Sequence, residues 1–507
     1  MNIYTTQEIN RITAACMKSE SLSIGDVIER GAQGTVAEIE KRWPKSCPAY
    51  VFAGPYDNGA YALAVARNLF KKGYRVKTTL FNIEIDPAQD LCKRQRDLLV
   101  SAAYPMTLYS EVKKSFRMPD FEQNAIIIDG IFGSELNRTL ESGYVSFIKH
   151  LNEKQLDIIS LDVPSGMTGD WNTRTVPNNV VKAKLTICFQ FPHLAYFLPN
   201  LVDNVGEWVA IDMGFKPTNL QGNVQKFLLI GKHETKHFLP NRGLSSSKAD
   251  FGNGIIFAGS YGMLGAAVLA GKGALRSGIG KLTISTPRCG FEIIQTSVPE
   301  ALYQFAESQN YLSKIKTLHS YDAVAIGPGI GTNDATVNAL DDYLSSVPSP
   351  IVLDADALNC IALRPQLLNK IPNMSIITPH AHEFDRLFGE QANGDMRLLK
   401  ALEVSKTYNI IIVMKGRYSA VVRPDGMVTF NASGTPALAT PGSGDVLTGI
   451  ITSFLAQLKN PILAAVAGVY VHGLAGEIAE SINGSYGVLA SDVAKCIGKA
   501  INEILKS

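Results

Sequence analysis

The sequence predicts an α/β protein of two domains, and three observations carry that reading. The 507-residue chain is longer than one core ordinarily organises. Short runs rich in Val and Ile alternate with longer helical patterns in both halves. A stretch without period, near residues 206–231, separates the two series.

In the first half the apolar runs lie at residues 50–53, 76–81, 125–129, 158–162 and 185–189. Their length and their Gly, Pro and Asp boundaries suit parallel strands buried on both faces. Two end in a carboxylate, Asp129 and Asp162, and strand C-termini are where open α/β sheets hold ligands. The first run leads into Gly54-Pro-Tyr-Asp-Asn-Gly-Ala-Tyr-Ala-Leu63 and then a helix read over residues 64–72. Such a strand-to-helix turn can hold an anion on backbone N–H groups, yet this one carries two tyrosines, Tyr56 and Tyr61. The segment 213–223 has turn residues and no period, which places the junction there. Alternation then restarts at 254–258, 281–286, 323–326, 351–354, 375–378, 410–414 and 420–423, and residues 445–506 read as mostly helical.

Composition removes several classes of function. Hydrophobic residues make up 46% and charged residues 19% of the chain, which fits a soluble globular protein. The net charge is +2 and the longest basic cluster is Lys71-Lys72, so no nucleic-acid partner is expected. No membrane partner is expected either. The N-terminus has no basic segment leading into an apolar one, and the most apolar stretch, 462–479, is interrupted by Tyr470, His472 and Glu477, as in a buried core helix. Seven scattered cysteines without a Cys-x-x-Cys pair favour reduced thiols and a cytoplasmic location.

The sharper chemistry lies in the second half. Thr440-Pro-Gly-Ser-Gly-Asp-Val-Leu-Thr-Gly449 opens a helix. Gly442, Ser443 and Gly444 would let an anion reach the unpaired N–H groups of its first turn, where the helix dipole favours negative charge. Asp445 would then stand beside that anion. A carboxylate next to phosphate is unfavourable, and deprotonating a hydroxyl that attacks the phosphate would account for it. A plain helix-capping acid is the competing reading. Lys415-Gly416, Gly327-Pro-Gly-Ile-Gly331, Asp354-Ala-Asp-Ala-Leu-Asn359 and Thr378-Pro-His-Ala-His-Glu383 all end predicted strands. Lys415 could be an ordinary surface lysine, but its strand-end position beside glycine favours a nucleotide contact. His380, His382 and Glu383 could suggest a metal, although His-x-His-Glu without a further ligand is a weak zinc signal.

In order and spacing these pieces, with residues 259–270 and 274–280, resemble the ADP/ATP-dependent NAD(P)H-hydrate dehydratases of the ribokinase-like superfamily, over residues 222–507. The resemblance implies that Asp445 is the catalytic base for phosphorylation of the hydrate's hydroxyl. It implies that Lys415, Gly416, Arg417, Tyr418, Ser419, Gly442, Ser443 and Gly444 hold ADP or ATP with Mg2+. Ala266, Gly329, Gly331, His380 and Asp445 would line the hydrate's site.

Residues 1–216 resemble the NAD(P)H-hydrate epimerases, through Ile128-Asp-Gly-Ile-Phe-Gly133, Asn137-Arg138 and Leu161-Asp-Val-Pro-Ser-Gly166. A Rossmann-like three-layer α/β/α domain is implied ahead of the ribokinase-like α/β domain. The implied substrate contacts are Asp57, Asn58, Gly59, Ala60, Tyr61, Gly133, Ser134, Glu135, Leu136, Asn137, Arg138, Thr139 and Asp162. Asn58, Asp129 and Ser165 fall at K+ positions, and hard oxygen donors suit such a cation. The family's glycine-rich loop is altered at Tyr56, Asp57, Ala60 and Tyr61, which weighs against epimerase turnover. Small-molecule substrates and a homo-oligomer are expected. The alternative is a ribokinase-like kinase for a small molecule or vitamin precursor, with a non-catalytic N-terminal module that binds nucleotide or oligomerises.

Overall fold

The computed structural model describes residues 1–83, 87–113, 118–134, 136, 138, 140, 142–215 and 226–506. The chain divides into two compact units, Ile3–Gln225 and Lys226–Ser507, with Met1–Asn2 counted in the second.

The first unit is built on seven strands, in the spatial order Tyr109–Val112, Val76–Phe81, Ala49–Ala53, Ile126–Gly130, Asp157–Leu161, Leu185–Phe189 and Glu207–Ile211. Every pair is parallel. Side chains alternate between two cores: Ala49, Val51, Ala53, Ile126 and Ile128 pack on one face, and Tyr50, Phe52 and Ile127 on the other. Burial on both faces is why these strands read as continuous apolar runs. Winding reverses between Ala49–Ala53 and Ile126–Gly130, and the crevice beyond such a reversal is where this topology binds ligands.

Two corrections follow for the first half. The edge strands Tyr109–Val112 and Glu207–Ile211 were not expected, and the second occupies part of the stretch read as a break. Both are partly exposed, so polar positions dilute their apolar signal. The helix after the first strand is Asp57–Lys71, not 64–72, with Tyr56 as its N-cap at φ −98°. The supposed loop is therefore mostly the helix's opening turns, and position 56 needs no positive φ. The close approach lies at Gly59, where a Cβ would sit 1.9 Å from the Gly54 carbonyl oxygen.

The second unit carries a long sheet with Leu302–Phe305 at one edge. Its parallel body repeats the reversal between Asn253–Phe257 and Ala323–Ile326, with Lys281–Thr286 on one side and Val352–Leu353, Ile376–Ile377 and Ile411–Met414 on the other. Ala420–Val422 and Val428–Asn431 then continue antiparallel. Helix Leu264–Arg276 packs by Ala267, Ala270 and Ala274 into the same core as Val446, Ile450 and Phe454 of helix Ser443–Leu458. Helix Pro461–Asn483 is apolar and long enough to cross a membrane, but 83% of its most apolar window is buried inside the protein. It is a core helix, as expected.

Candidate functional site

The C-terminal site assembles where the sheet's strand ends meet helix Ser443–Leu458. Gly442 is the helix N-cap at φ +84°, a left-handed conformation suited to glycine, and a Cβ there would lie 2.4 Å from Leu269 Cδ1. Asp445 follows in the first turn. Lys415, at the end of strand Ile411–Met414, reaches back so that Nζ lies 3.2 Å from Asp354 Oδ1. Thr448, one turn beyond Asp445, donates to Asp354 Oδ2 at 2.6 Å. A Cβ on Gly444 would meet Lys415 Nζ at 3.3 Å and Asp354 Oδ2 at 3.9 Å. Gly444, Lys415 and Asp354 thus border one small volume at the helix N-terminus.

The electrostatics of that volume single out Asp445. Burial and the nearby Asp354 charge outweigh the Lys415 ammonium, and with Asp356 they push the Asp445 carboxyl from 3.8 to about 7. His472 of helix Pro461–Asn483 supports the turn from below: its Nε2 lies 3.1 Å from Ser443 Oγ and 3.0 Å from the Ser443 carbonyl oxygen. Burial drives its imidazole down to about 4 despite that backbone bond, so the ring is neutral at physiological pH.

Residues 416–419 form the turn between antiparallel strands Ile411–Met414 and Ala420–Val422. Ser419 Oγ bonds both the Gly416 carbonyl and its N–H, and the Arg417 guanidinium lies 5.6 Å from the Tyr418 ring centre. The expected hydrate residues are partly gathered. Ser260 donates to the Gly329 carbonyl at 2.8 Å, a Cβ on Gly329 would touch Ala266, and the Gly331 N–H donates to Asp356 Oδ2 at 2.9 Å. His380 is tied to Glu383, whose N–H donates to Nδ1 at 3.2 Å at the start of helix Ala381–Phe388. Among the described residues no group of three or more His, Cys, Asp or Glu side chains converges to hold a metal. Asp354, Asp356, Thr448 and His472 were missed as site residues. Only the Asp-Ala-Asp at a strand end signalled the first two.

The N-terminal site lies at the first unit's reversal point. Asn58 Nδ2 donates to the carbonyls of Phe132 and, at 3.1 Å, Leu161, leaving its buried Oδ1 without a partner among the described residues. Ser165 Oγ accepts from the Phe132 N–H at 2.9 Å and donates to Asp129 Oδ1 at 2.5 Å. Asp129 is fully buried and meets Ser160 and Ser165, with no cationic side chain among its described contacts. Burial raises its carboxyl pKa against those hydrogen bonds. The three expected K+ positions are therefore brought around Phe132.

Asp57, Asn58, Tyr61, Gly133, Ser134, Leu136 and Asp162 share a cavity of about 150 Å3, while Gly59 and Ala60 sit buried behind it. That is below the roughly 300–1,000 Å3 of most small-molecule pockets. Tyr61 narrows it, stacked on Phe189 at 4.3 Å between ring centres. Arg138 lies 5.9 Å from the Phe132 ring centre. Glu135, Asn137 and Thr139 lie outside the described residues, as does the expected junction at 213–223 from residue 216 onward.

Residues 254–499 match the family model described as NAD(P)H-hydrate dehydratase, and residues 25–195 match the YjeF-related protein N-terminus. The bifunctional NAD(P)H-hydrate repair enzyme of Thermofilum pendens is 30% identical over 468 residues, covering 90% of this chain and 88% of its own. The chain belongs to the bifunctional NAD(P)H-hydrate repair enzyme family. The Escherichia coli K12 member is 27% identical over 95% of this chain and 90% of its own. The ADP/ATP-dependent NAD(P)H-hydrate dehydratase of Bacillus subtilis, co-crystallised with ATP and Mg2+, covers 55% of this chain and 98% of its own length, at 32% identity and a TM-score of 0.50. These matches confirm the two-part α/β reading and do not favour the kinase alternative.

Proposed function

We propose that the second unit restores hydrated NAD(P)H to NAD(P)H at the expense of ADP or ATP, with Asp445 as the base. The observation that carries this is a carboxyl held near 7 at a glycine-lined helix N-terminus. Such a group accepts a proton near neutrality and is still basic enough to draw one from a hydroxyl. The hydrate's hydroxyl loses its proton to Asp445 as its oxygen bonds to the nucleotide's terminal phosphorus, and the terminal phosphoanhydride bond breaks to release ADP from ATP or AMP from ADP. The Gly442–Ser443–Gly444 turn and Lys415 receive the phosphate's charge. Phosphate then leaves with the former hydroxyl oxygen, and loss of a proton from the adjoining carbon restores the dihydronicotinamide. No trio of His, Cys, Asp or Glu side chains converges here among the described residues, so Mg2+ would be carried on the nucleotide's own phosphates, whose charge it would neutralise.

The first unit interconverts the R and S hydrates, feeding the S form to the second. Its buried Asn58 Oδ1 and the Asp129 carboxyl, which has no cationic side chain among its described contacts, fit an alkali cation such as K+, held with Ser165. The test is direct: hydrated NADH is incubated with the protein, Mg2+ and either ATP or ADP. Recovery of reduced-nicotinamide absorbance with release of inorganic phosphate is expected. No recovery with either nucleotide would remove the dehydratase assignment.

A further inference from the structure

The N-terminal cavity contains an imidazole outside the expected set. His193 follows strand Leu185–Phe189, is 3% exposed and lines the cavity beside Asp162. Its Nε2 lies 2.6 Å from Asp162 Oδ1, while Asp162 Oδ2 accepts the Ser134 N–H at 2.6 Å. Tyr196 donates its hydroxyl to the Asp162 carbonyl, and the Asp162 backbone is held at φ +64°. Both carboxylate oxygens are thus fixed at the wall of a space of about 150 Å3.

The other face of the ring is equally specific. His193 Nδ1 and Thr6 Oγ1 are buried without hydrogen-bond partners among the described residues. Both border Gly169, where a Cβ would lie 2.7 Å from the first and 2.3 Å from the second. A neutral ring protonated at Nε2 donates to Asp162 and leaves Nδ1 bare. A second proton on Nδ1 has the Thr6 hydroxyl as the nearby group that could turn to accept it. The titratable groups facing the pair leave it isolated. Tyr61, Cys188 and Tyr196 are pushed up by burial and stay neutral. Asp57, on the cavity wall, is raised by burial, and Asp170 holds the Thr6 N–H at 3.1 Å.

We propose that Asp162 and His193 form one acid–base unit for interconversion of the hydrates, with Asp162 exchanging the proton with the ligand and His193 as its positioning residue. This rests on the epimerase reading of the first unit. Hydration of an enamine places the hydroxyl on the carbon bonded to nitrogen. One proton from the pair goes to that hydroxyl, the C–O bond breaks, water leaves, and the nitrogen lone pair forms the N=C bond. Water adding to the opposite face forms the new C–O bond, the N=C electrons return to nitrogen, and the surplus proton returns to the pair. No further reactant is consumed.

The test uses the full chain without nucleotide and separated R and S hydrates. His193→Ala should slow interconversion about a hundredfold in kcat, with KM changed far less. His193→Gln keeps a donor for Asp162 Oδ1 but cannot store a proton, so it should stay equally slow and lose the wild-type pH profile. Wild-type rate and pH profile in His193→Gln would overturn the proposal. A wild type that does not interconvert the hydrates would instead remove the epimerase reading beneath it. Histidine-labelled NMR of the wild type supplies a check that needs no turnover: a neutral ring should carry its proton on Nε2, and a proton on Nδ1 would also overturn the pairing.

Discussion

Asp445 must be a carboxylate to accept a proton, and the fold makes that form unfavourable. With its carboxyl raised from 3.8 to about 7, the group's contribution to stability is complete below pH 3.8 and is lost as pH rises through 7. The charged form is disfavoured by up to ~4 kcal/mol. Asp445→Asn should therefore abolish phosphate release, by about two to four orders of magnitude. It should also raise the melting temperature of the second unit by several degrees at pH 8 and leave it unchanged at pH 3.5. Calorimetry of both proteins at the two pH values checks this. In the wild type, kcat/KM should fall tenfold per pH unit below about 7 as the base is protonated. Lys415→Met removes the one nearby cation that lowers the Asp445 pKa. Its acidic limb should move to higher pH, together with a raised KM for nucleotide, and a limb that stays in place would contradict the linkage.

At the scale of the element, the helix N-terminus separates two glycines that look alike in sequence. Gly442→Ala places a side chain at φ +84° and within 2.4 Å of Leu269, so it should destabilise the unit by about 1–3 kcal/mol. Gly444→Ala meets the end of the Lys415 side chain at 3.3 Å and Asp354 Oδ2 at an ordinary 3.9 Å, so the fold should hold while the methyl group obstructs phosphate and raises nucleotide KM. Thermal melts and nucleotide kinetics of the two variants distinguish these effects. Buried elements were legible through their apolar residues: Ala49–Ala53 is buried throughout, and Val76, Leu80, Phe81, Leu282 and Ile284 mark Val76–Phe81 and Lys281–Thr286, so all three fall almost where the runs predicted. Edge strands such as Leu302–Phe305 were not, since most of their residues are partly or fully exposed. The true start of helix Asp57–Lys71 was hidden because a Gly-Pro-Tyr-Asp sequence reads as a turn. Thr448 and His472 were not legible as site residues, because their partners Asp354 and Ser443 are distant in sequence and meet them only through the fold.

Across the whole molecule, the two units share one design: a mostly parallel sheet whose winding reverses between the third and fourth strands counted from one edge, with a candidate ligand site beyond it. The first unit's sequence raised doubt at Tyr56, Asp57, Ala60 and Tyr61. There Tyr61, stacked on Phe189, borders a cavity of about 150 Å3, small for a whole dinucleotide. Tyr61→Ala should widen the cavity and lower KM for the hydrates if ring entry is what limits binding. Steady-state epimerisation by the variant measures it. The central claim, that one chain repairs both hydrates through Asp445, is tested most directly by letting the full-length protein act on an R and S mixture with excess ADP or ATP and Mg2+. Complete recovery of reduced nicotinamide, with one inorganic phosphate released per molecule and none in Asp445→Asn, is the predicted result. A stable phosphorylated product, or recovery unaffected by Asp445→Asn, would contradict it.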